Sequence, residues 1–162
     1  MARLKGARPG YRYMVSGLGF STASVKGGEI EEYSFGGEGK TVLAFFPGAF
    51  TPPCREEMCS FRDQMKDFNE LGAEVVGISV DTPFALKEFA EQNDLNFRLA
   101  SDTSKEIAEQ YGVKTVFPDT GHEIAERAVF LVKDGEVAYK QVMNDPHNLP
   151  DLEKLKEEVK KA

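Results

Sequence analysis

Several residue types are scarce in this chain, and each scarcity excludes a class of protein. Its 162 residues include two cysteines, two histidines and no tryptophan. Two cysteines are too few for the disulfide framework of a small secreted domain, so they indicate catalysis, metal binding or simple burial. Lysine and arginine number 20 against 27 aspartates and glutamates, a net charge of -7. A nucleic-acid partner is not expected, because phosphate binding needs a surplus of cations.

The chain also has no long apolar run. No segment approaches the roughly 18 apolar residues of a membrane span, and the N-terminus lacks the apolar stretch of a secretory signal. We therefore expect a cytoplasmic protein with no membrane partner. A hydrophobic content of 41% is enough for one domain over residues 1–162. Residues 1–28 contain basic but no acidic side chains, and we expect them to form a solvated, mobile arm.

The middle of the chain has the pattern of a strand, a helix and a second strand. Residues 41–46 are apolar and rich in β-formers, and they stop at Pro47-Gly48, which indicates a buried strand ending in a turn. Residues 74–80 repeat the pattern. Between the two segments, apolar residues recur at spacings of three and four, which predicts an amphipathic helix packed on a sheet. These residues are Met58, Phe61, Met65 and Phe68.

Further elements follow after the second strand. The predicted elements are a helix from Asp81-Thr82-Pro83 through Glu91, a weaker strand over 95–99, a short helix over 104–111, a hairpin of strands 128–132 and 136–142 around Asp134-Gly135, and a helix over 151–160. Helices that alternate with strands are typical of an α/β protein with a central mixed sheet covered by helices.

Cys54 occupies a position that favours reactive chemistry. Thr51 is a suitable N-cap and Pro52 a suitable first helical residue, so Cys54 falls in the first turn of the predicted helix. Free backbone N–H groups and the helix dipole stabilise a thiolate there. Cys54 precedes Met58 by four residues and shares its inward face, so the thiol should be shielded. Position alone leaves a buried structural cysteine as an equal alternative.

The pattern Pro47-x-x-x-Thr51-x-x-Cys54 after an apolar strand resembles the signature of the peroxiredoxin family. Further segments resemble the family in the same order: Glu57, Phe61-Arg62-Asp63, Ile78-Ser79-Val80-Asp81-Thr82-Pro83, Ser101-Asp102 and Arg127-Ala128-Val129-Phe130. The resemblance covers about Lys40 to Val142. It implies a thioredoxin-like α/β fold and a thiol peroxidase that needs no cofactor or metal and reduces hydrogen peroxide and organic hydroperoxides.

The resemblance also implies a role for each matching residue. Cys54 would be the peroxidatic nucleophile, Thr51 would hydrogen-bond the thiolate and the peroxide, and Pro47 would shield the pocket. Arg127 would stabilise the thiolate and the reacting oxygens, with an ordinary strand-edge arginine as the alternative. Glu57 would orient an arginine near the pocket, with a plain first-turn carboxylate as the alternative. Several donors are needed because ionising the thiol is not sufficient: a more acidic thiol gives a weaker nucleophile, and peroxide cleavage places charge on the leaving oxygen.

Cys59 is the only other thiol that could condense with a sulfenic acid at Cys54. Residues five apart in an intact helix lie about 8.7 Å apart between Cα atoms, beyond the limit of about 7 Å for a disulfide. The helix must therefore open if Cys59 resolves Cys54. The spacing resembles the branch with bacterioferritin-comigratory protein and the plant Q-type enzymes, which implies thioredoxin as reductant. The segment before Cys54 also resembles single-cysteine branches, in which an external thiol takes this role.

Three other functions are open to the sequence. A thioredoxin-fold disulfide oxidoreductase normally uses C-x-x-C, whereas four residues separate these cysteines. A zinc site would need His122 and His147, which are distant in sequence and fall in predicted loops. A non-enzymatic peroxide sensor would use Cys54 once per signal. The resemblance allows either a monomer or a homodimer.

Overall fold

A central sheet of seven strands organises the fold in the computed structural model, which describes residues 17–162. The strands are β1 (Phe20–Lys26), β2 (Glu29–Phe35), β3 (Lys40–Phe45), β4 (Ala73–Ser79), β5 (Arg98–Ser101), β6 (Lys114–Val116), β7 (Glu123–Ala125), β8 (Ala128–Lys133) and β9 (Glu136–Val142). The helices are α1 (Pro52–Glu70), α2 (Pro83–Gln92), α3 (Glu106–Gln110) and α4 (Leu152–Lys161).

The sheet is mixed, as the sequence predicts. Its order is β2-β1-β5-β4-β3-β8-β9, with β3, β4 and β5 mutually parallel and the remaining neighbours antiparallel. Strands β6 and β7 form a separate two-stranded ribbon. Because β3 and β4 are parallel and central, their carboxyl ends lie at the same edge of the sheet, where ligand chemistry tends to gather.

Alternation along the central strands divides the core between the two faces of the sheet. In β3, Val42 and Ala44 join the cluster that includes the buried residues of α1, α2 and α4, whereas Leu43 and Phe45 join the cluster under α3. This is the period of two expected when both faces are covered. The four apolar residues predicted for the face of α1 are all buried. They fix which side of this helix faces the sheet.

Gly77 lets α1 lie close to the sheet. A Cβ added to this residue of β4 would stand 2.7 Å from Leu99 Cδ2 and 3.2 Å from Met58 Sδ. Met58 lies one helical turn after Cys54, so the close contact at Gly77 helps to set the height of the reactive end of α1 above the sheet.

The predicted helix start at Thr82 and the predicted turn at Asp134-Gly135 are confirmed. Thr82 Oγ1 accepts from Ala85 N at 3.2 Å at the start of α2, and Asp151 caps α4 by accepting from Lys154 N at 3.0 Å. Asp134 and Gly135 both have positive φ, as a two-residue hairpin turn requires. The short helix α3 is shorter at both ends than the predicted range of 104–111.

The strand predicted over 95–99 is misplaced, because β5 begins only at Arg98. Leu95 N donates to Ala90 O at 3.0 Å, and Asp94 has a φ of 50°. The chain is therefore still completing the end of α2 at these positions. Extended backbone follows only after that turn is closed.

The expectation of a mobile arm over residues 1–28 is wrong for its later part. Strand β1 lies inside the sheet between β2 and β5, and Gly27 and Gly28, both at positive φ, turn the chain into β2. Residues 1–16 lie outside the described residues. The ribbon of β6 and β7 and the strands β1 and β2 were not predicted from the sequence.

Candidate active site

The residues between β3 and α1 carry the chain from the sheet edge into the helix that holds Cys54. Phe50 turns the chain with a φ of 68°, and Thr51 then takes an extended conformation as the N-cap residue. Pro52 and Pro53 begin the helix without N–H groups, so the first backbone donor of α1 is that of Cys54 itself. The Cys54 side chain is 1% exposed. The predicted shielding of the thiol is confirmed.

Arg127 meets Cys54 from the other side of the pocket, although 73 residues separate them in sequence. Its Nη2 donates to Cys54 Sγ at 3.3 Å, and its Nη1 donates to Glu57 Oε1 at 2.5 Å. A third donor, Nε, reaches Pro146 O at 3.0 Å. The three side chains of Cys54, Glu57 and Arg127 are each at most 2% exposed. One buried cation is therefore shared by a thiol and a carboxylate.

The backbone around Arg127 is held in place by the sheet. Arg127 immediately precedes β8, and its carbonyl oxygen accepts from Met143 N at 2.9 Å just beyond β9. Since the start of β8 pairs with the end of β3, Arg127 stands just before the strand next to the one that leads to Cys54. The sheet register thus brings the two side chains together.

Burial raises the pKa of the Glu57 carboxyl group, and Arg127 opposes this shift. Loss of water raises the pKa of Glu57 from 4.5 to about 7, while the charge and hydrogen bond of Arg127 act in the opposite direction. For Arg127, burial opposes its positive charge, but Glu57 and Cys54 outweigh that effect and raise the pKa of the guanidinium. Arg127 therefore stays cationic. Glu57 Oε2 is buried without a hydrogen-bond partner among the described residues.

Thr51 and Pro47 lie in the loop before Cys54. The Thr51 side chain is exposed, and its hydroxyl donates to Gly48 O at 2.9 Å. Thr51 is the N-cap residue by position, but it does not cap α1 with its side chain. Pro47 is half-buried in the same loop. The hydroxyl therefore stands at the start of the helix.

Asp81 anchors this loop, a function that the sequence pattern did not indicate. Its Oδ2 accepts from Ala49 N at 2.7 Å and from Ser79 Oγ at 2.7 Å. The interpretation of Asp81-Thr82-Pro83 as a helix start was correct, but it did not predict that the Asp81 carboxylate also binds the loop before α1. Asp81 comes two residues after β4, and a carboxylate at the carboxyl end of a central strand was the available signal.

Cys59 is separated from the site in this conformation. It is half-buried within the uninterrupted helix α1, and both cysteines are free thiols. Its Sγ lies 3.7 Å from Asn93 Oδ1, at the end of α2. Of the residues singled out in the sequence, the structure brings together Cys54, Glu57 and Arg127 and places Thr51 and Pro47 on the preceding loop. It leaves Cys59 on another face of the helix.

The two histidines are on the surface. His147 Nδ1 lies 3.0 Å from Asp145 Oδ1, and both side chains are largely exposed, as is His122. Within residues 17–162, no group of three or more histidine, cysteine or acidic side chains is arranged to hold a metal ion. The helices in that part of the chain also include none with the length and apolar character needed to cross a membrane.

A model of the AhpC/TSA family matches residues 18–140, well over half of the chain. The chain belongs to this family, the peroxiredoxins. The peroxiredoxin resemblance of the motif around Cys54 is therefore confirmed, and the protein is an enzyme, a thiol-dependent peroxidase. Its substrate is a peroxide and its co-substrate a thiol reductant. A purely non-enzymatic sensor is not what these matches support.

Individual peroxiredoxins and related enzymes agree with the family match. The thiol peroxidase of Campylobacter jejuni is 35% identical over 135 residues, which cover 82% of this chain and 75% of that protein. Peroxiredoxin Bcp of Escherichia coli K12 is 34% identical over 123 residues, or 74% of this chain and 78% of that protein. These relatives favour the bacterioferritin-comigratory and Q-type branch over the other branches of the family.

Solved peroxiredoxin structures share the fold. Peroxidoxin BcpB from Mycobacterium tuberculosis superimposes with a TM-score of 0.68 at 29% identity, over 89% of this chain and 96% of that chain. Enterococcus faecalis AhpC gives a TM-score of 0.77 at 22% identity, over 88% of this chain and 87% of that chain, which concerns the fold alone. The predicted thioredoxin-like α/β fold is confirmed.

Proposed function

We propose that the peroxidase reaction takes place at Cys54, with Arg127 as the cation that makes its thiolate possible. The contact of 3.3 Å between Arg127 Nη2 and Cys54 Sγ carries this proposal. A thiolate that is 1% exposed has lost nearly all contact with water, and Glu57 repels it whenever its carboxyl group is ionised. A buried guanidinium compensates both effects.

The chemistry follows from these contacts. The Cys54 thiolate attacks one oxygen of hydrogen peroxide or of an organic hydroperoxide, so that a sulfur–oxygen bond forms while the oxygen–oxygen bond breaks. The leaving hydroxide or alkoxide takes a proton from solvent, and the cysteine remains as a sulfenic acid. Negative charge thus moves from sulfur to the leaving oxygen. Donors fixed at both positions stabilise this transition state more than the ground state.

The remaining residues would complete the pocket. The Thr51 hydroxyl, now on Gly48 O, would turn to the incoming peroxide and donate to it. Pro47 would keep water away from the thiolate. Glu57 would orient the guanidinium of Arg127 through the 2.5 Å contact without touching the peroxide. Orientation matters because the same guanidinium must reach sulfur and oxygen at once.

Cys59 is proposed to resolve the sulfenic acid as an intramolecular disulfide, and thioredoxin to reduce that disulfide. This route requires α1 to open, since the helix is continuous through both cysteines. The alternative is that an external thiol attacks the Cys54 sulfenic acid directly.

The decisive experiment uses intact mass after one equivalent of hydrogen peroxide in the absence of free thiol. We expect wild type to lose two hydrogens, Cys59→Ser to gain one oxygen, and Cys54→Ser not to react rapidly. A gain of oxygen in wild type as well would assign resolution to an external thiol. Rapid oxidation of Cys54→Ser at Cys59 would overturn the assignment of the peroxidatic residue.

The location and the assembly of the enzyme belong to the same proposal. The net charge of -7 supports a protein that binds neither nucleic acid nor an anionic membrane surface. We propose a cytoplasmic location, and a monomer or a homodimer as the working state. Light scattering of the reduced and the oxidised protein distinguishes the two assemblies.

A further inference from the structure

Asn93 joins the end of α2 to one side of α1. It follows α2 and is only 6% exposed. Its Oδ1 accepts from Arg55 Nε at 3.0 Å and lies 3.7 Å from Cys59 Sγ, while its carbonyl oxygen accepts from Arg62 Nη1 at 2.6 Å. Its own Nδ2 donates to Phe89 O at 2.8 Å, which fixes the amide. Three side chains of α1 are thus tied to one buried residue.

The three tied residues occupy one stripe of the helix. Positions 55, 59 and 62 are separated by four and three residues, so they lie above one another on the same side of α1. Cys54 lies five residues before Cys59, about 140° around the helix at 100° per residue. The contacts to Asn93 therefore hold the part of the helix that must open before Cys59 can approach Cys54.

We infer that Asn93 is a positioning residue that keeps α1 closed around Cys59 and thereby sets how fast Cys59 can reach an oxidised Cys54. This inference rests on the proposed resolving role of Cys59. Asn93 touches neither the peroxide nor Cys54. It controls the lifetime of the Cys54 sulfenic acid, and hence the fraction that a second peroxide oxidises to sulfinic acid.

The chemistry of Cys59 is linked to its release. As a thiol, Cys59 can donate to Asn93 Oδ1, but as a thiolate it cannot, and the amide oxygen then repels it. The thiolate is the form that attacks the sulfur of Cys54: a sulfur–sulfur bond forms, the sulfur–oxygen bond breaks, and the departing hydroxide recovers the proton lost by Cys59 as water. Loss of the proton and loss of the contact therefore occur together.

Hydrogen exchange measures the opening directly. In the reduced protein, Asn93→Ala should increase amide exchange in the first three turns of α1 by about tenfold, because the hydrogen bond from the charged Arg55 and the contact with Cys59 are lost, whereas Arg62 keeps its bond to the backbone carbonyl. Gln92→Ala is the matched control. Gln92 is an exposed neighbouring amide whose side chain bonds Glu88 on its own helix, so exchange in α1 should not change.

Disulfide formation gives the second readout. After one equivalent of hydrogen peroxide, rapid-quench mass spectrometry should show the disulfide forming about tenfold faster in Asn93→Ala than in wild type, and less sulfinic acid at high peroxide. Arg55→Ala, at an exposed position, should have a similar effect. The double variant Arg55→Ala/Asn93→Ala should resemble Asn93→Ala, since that single variant already removes the hydrogen bond to Arg55.

The outcomes separate this inference from the function on which it rests. If wild type forms no disulfide, Cys59 is not the resolving thiol, and exchange in α1 still decides whether Asn93 holds the helix. If wild type forms the disulfide but Asn93→Ala matches Gln92→Ala in both readouts, the inference is wrong. If Asn93→Ala does not fold, Arg55→Ala decides: wild-type exchange and wild-type disulfide kinetics in that variant overturn the inference.

Discussion

A single guanidinium organises the chemistry at the scale of residues. Arg127 directs Nε, Nη1 and Nη2 to three different partners, and each contact depends on the planar fork of the side chain. An ammonium group at the same position keeps the charge but cannot keep the geometry. Charge and orientation can therefore be separated by substitution.

Arg127→Lys should reduce the rate of Cys54 oxidation by about a hundredfold or more, the usual cost of removing a fixed transition-state donor. Because the chain has no tryptophan, the rate is best followed by rapid-quench mass spectrometry. Arg98→Lys is the matched control, since Arg98 pairs with Glu31 on β2. Equal rates for Arg127→Lys and wild type would show that charge alone suffices.

The Thr51 hydroxyl can be tested in the same way. Thr51→Val removes the hydroxyl at nearly constant volume and should slow Cys54 oxidation by about tenfold to a hundredfold. Thr51→Ser keeps the hydroxyl and should stay near the wild-type rate. A slow Thr51→Ser together with a fast Thr51→Val would assign the effect to packing of the methyl group instead.

At the scale of elements, the site depends on how closely α1 lies over β4. Gly77→Ala should lower the free energy of unfolding by about 1–3 kcal/mol, because the added methyl group has no space between Leu99 and Met58. Urea denaturation measures this. Gly36→Ala serves as control, since a Cβ there meets nothing within 4 Å and the backbone φ is not positive. A stable Gly77→Ala would mean that the Leu99 and Met58 side chains shift without moving α1.

Local sequence patterns predicted the elements that have strong local signals. Residues 41–46 form a continuous apolar run and the apolar face of α1 recurs with a helical period, and both were placed within a residue or two. The strands β1 and β2 were missed because only Phe20, Ser24, Val25 and Phe35 of their residues are buried, so the apolar signal is sparse. The Gly27-Gly28 pair was nevertheless a hairpin signal.

Contacts between residues that are distant in sequence could not be predicted from local patterns. Nothing near Arg127 in sequence indicates Cys54, and only the family resemblance paired them. The anchor at Asp81 and the contacts of Asn93 were not predicted, because they depend on how the ends of β4 and α2 meet α1. Local pattern specified the elements, whereas packing specified the site.

At the scale of the whole molecule, the buried site makes stability depend on pH. The pKa of Glu57 is raised by burial from 4.5 to about 7, so the folded protein binds a proton that the unfolded chain has already lost between these values. The stabilising effect of the bound proton is complete below pH 4.5 and is lost as pH rises through 7. Ionisation of Glu57 therefore lowers the free energy of unfolding near pH 7, where the carboxylate is also the hydrogen-bond partner of Arg127.

Glu57→Gln should remove this dependence, because glutamine can still accept from Arg127 Nη1 but does not ionise. The difference in unfolding free energy between Glu57→Gln and wild type should grow in favour of the variant by about 3 kcal/mol between pH 4.5 and 7.5. Urea denaturation of the reduced proteins across this range measures the difference, in which the other carboxyl groups cancel. Glu56→Gln, at the exposed neighbouring position, should show no such trend. A constant difference for Glu57→Gln would mean that Arg127 fully compensates burial and holds Glu57 ionised throughout, so that the reduced site would keep both carboxylate and cation at every pH at which the enzyme works.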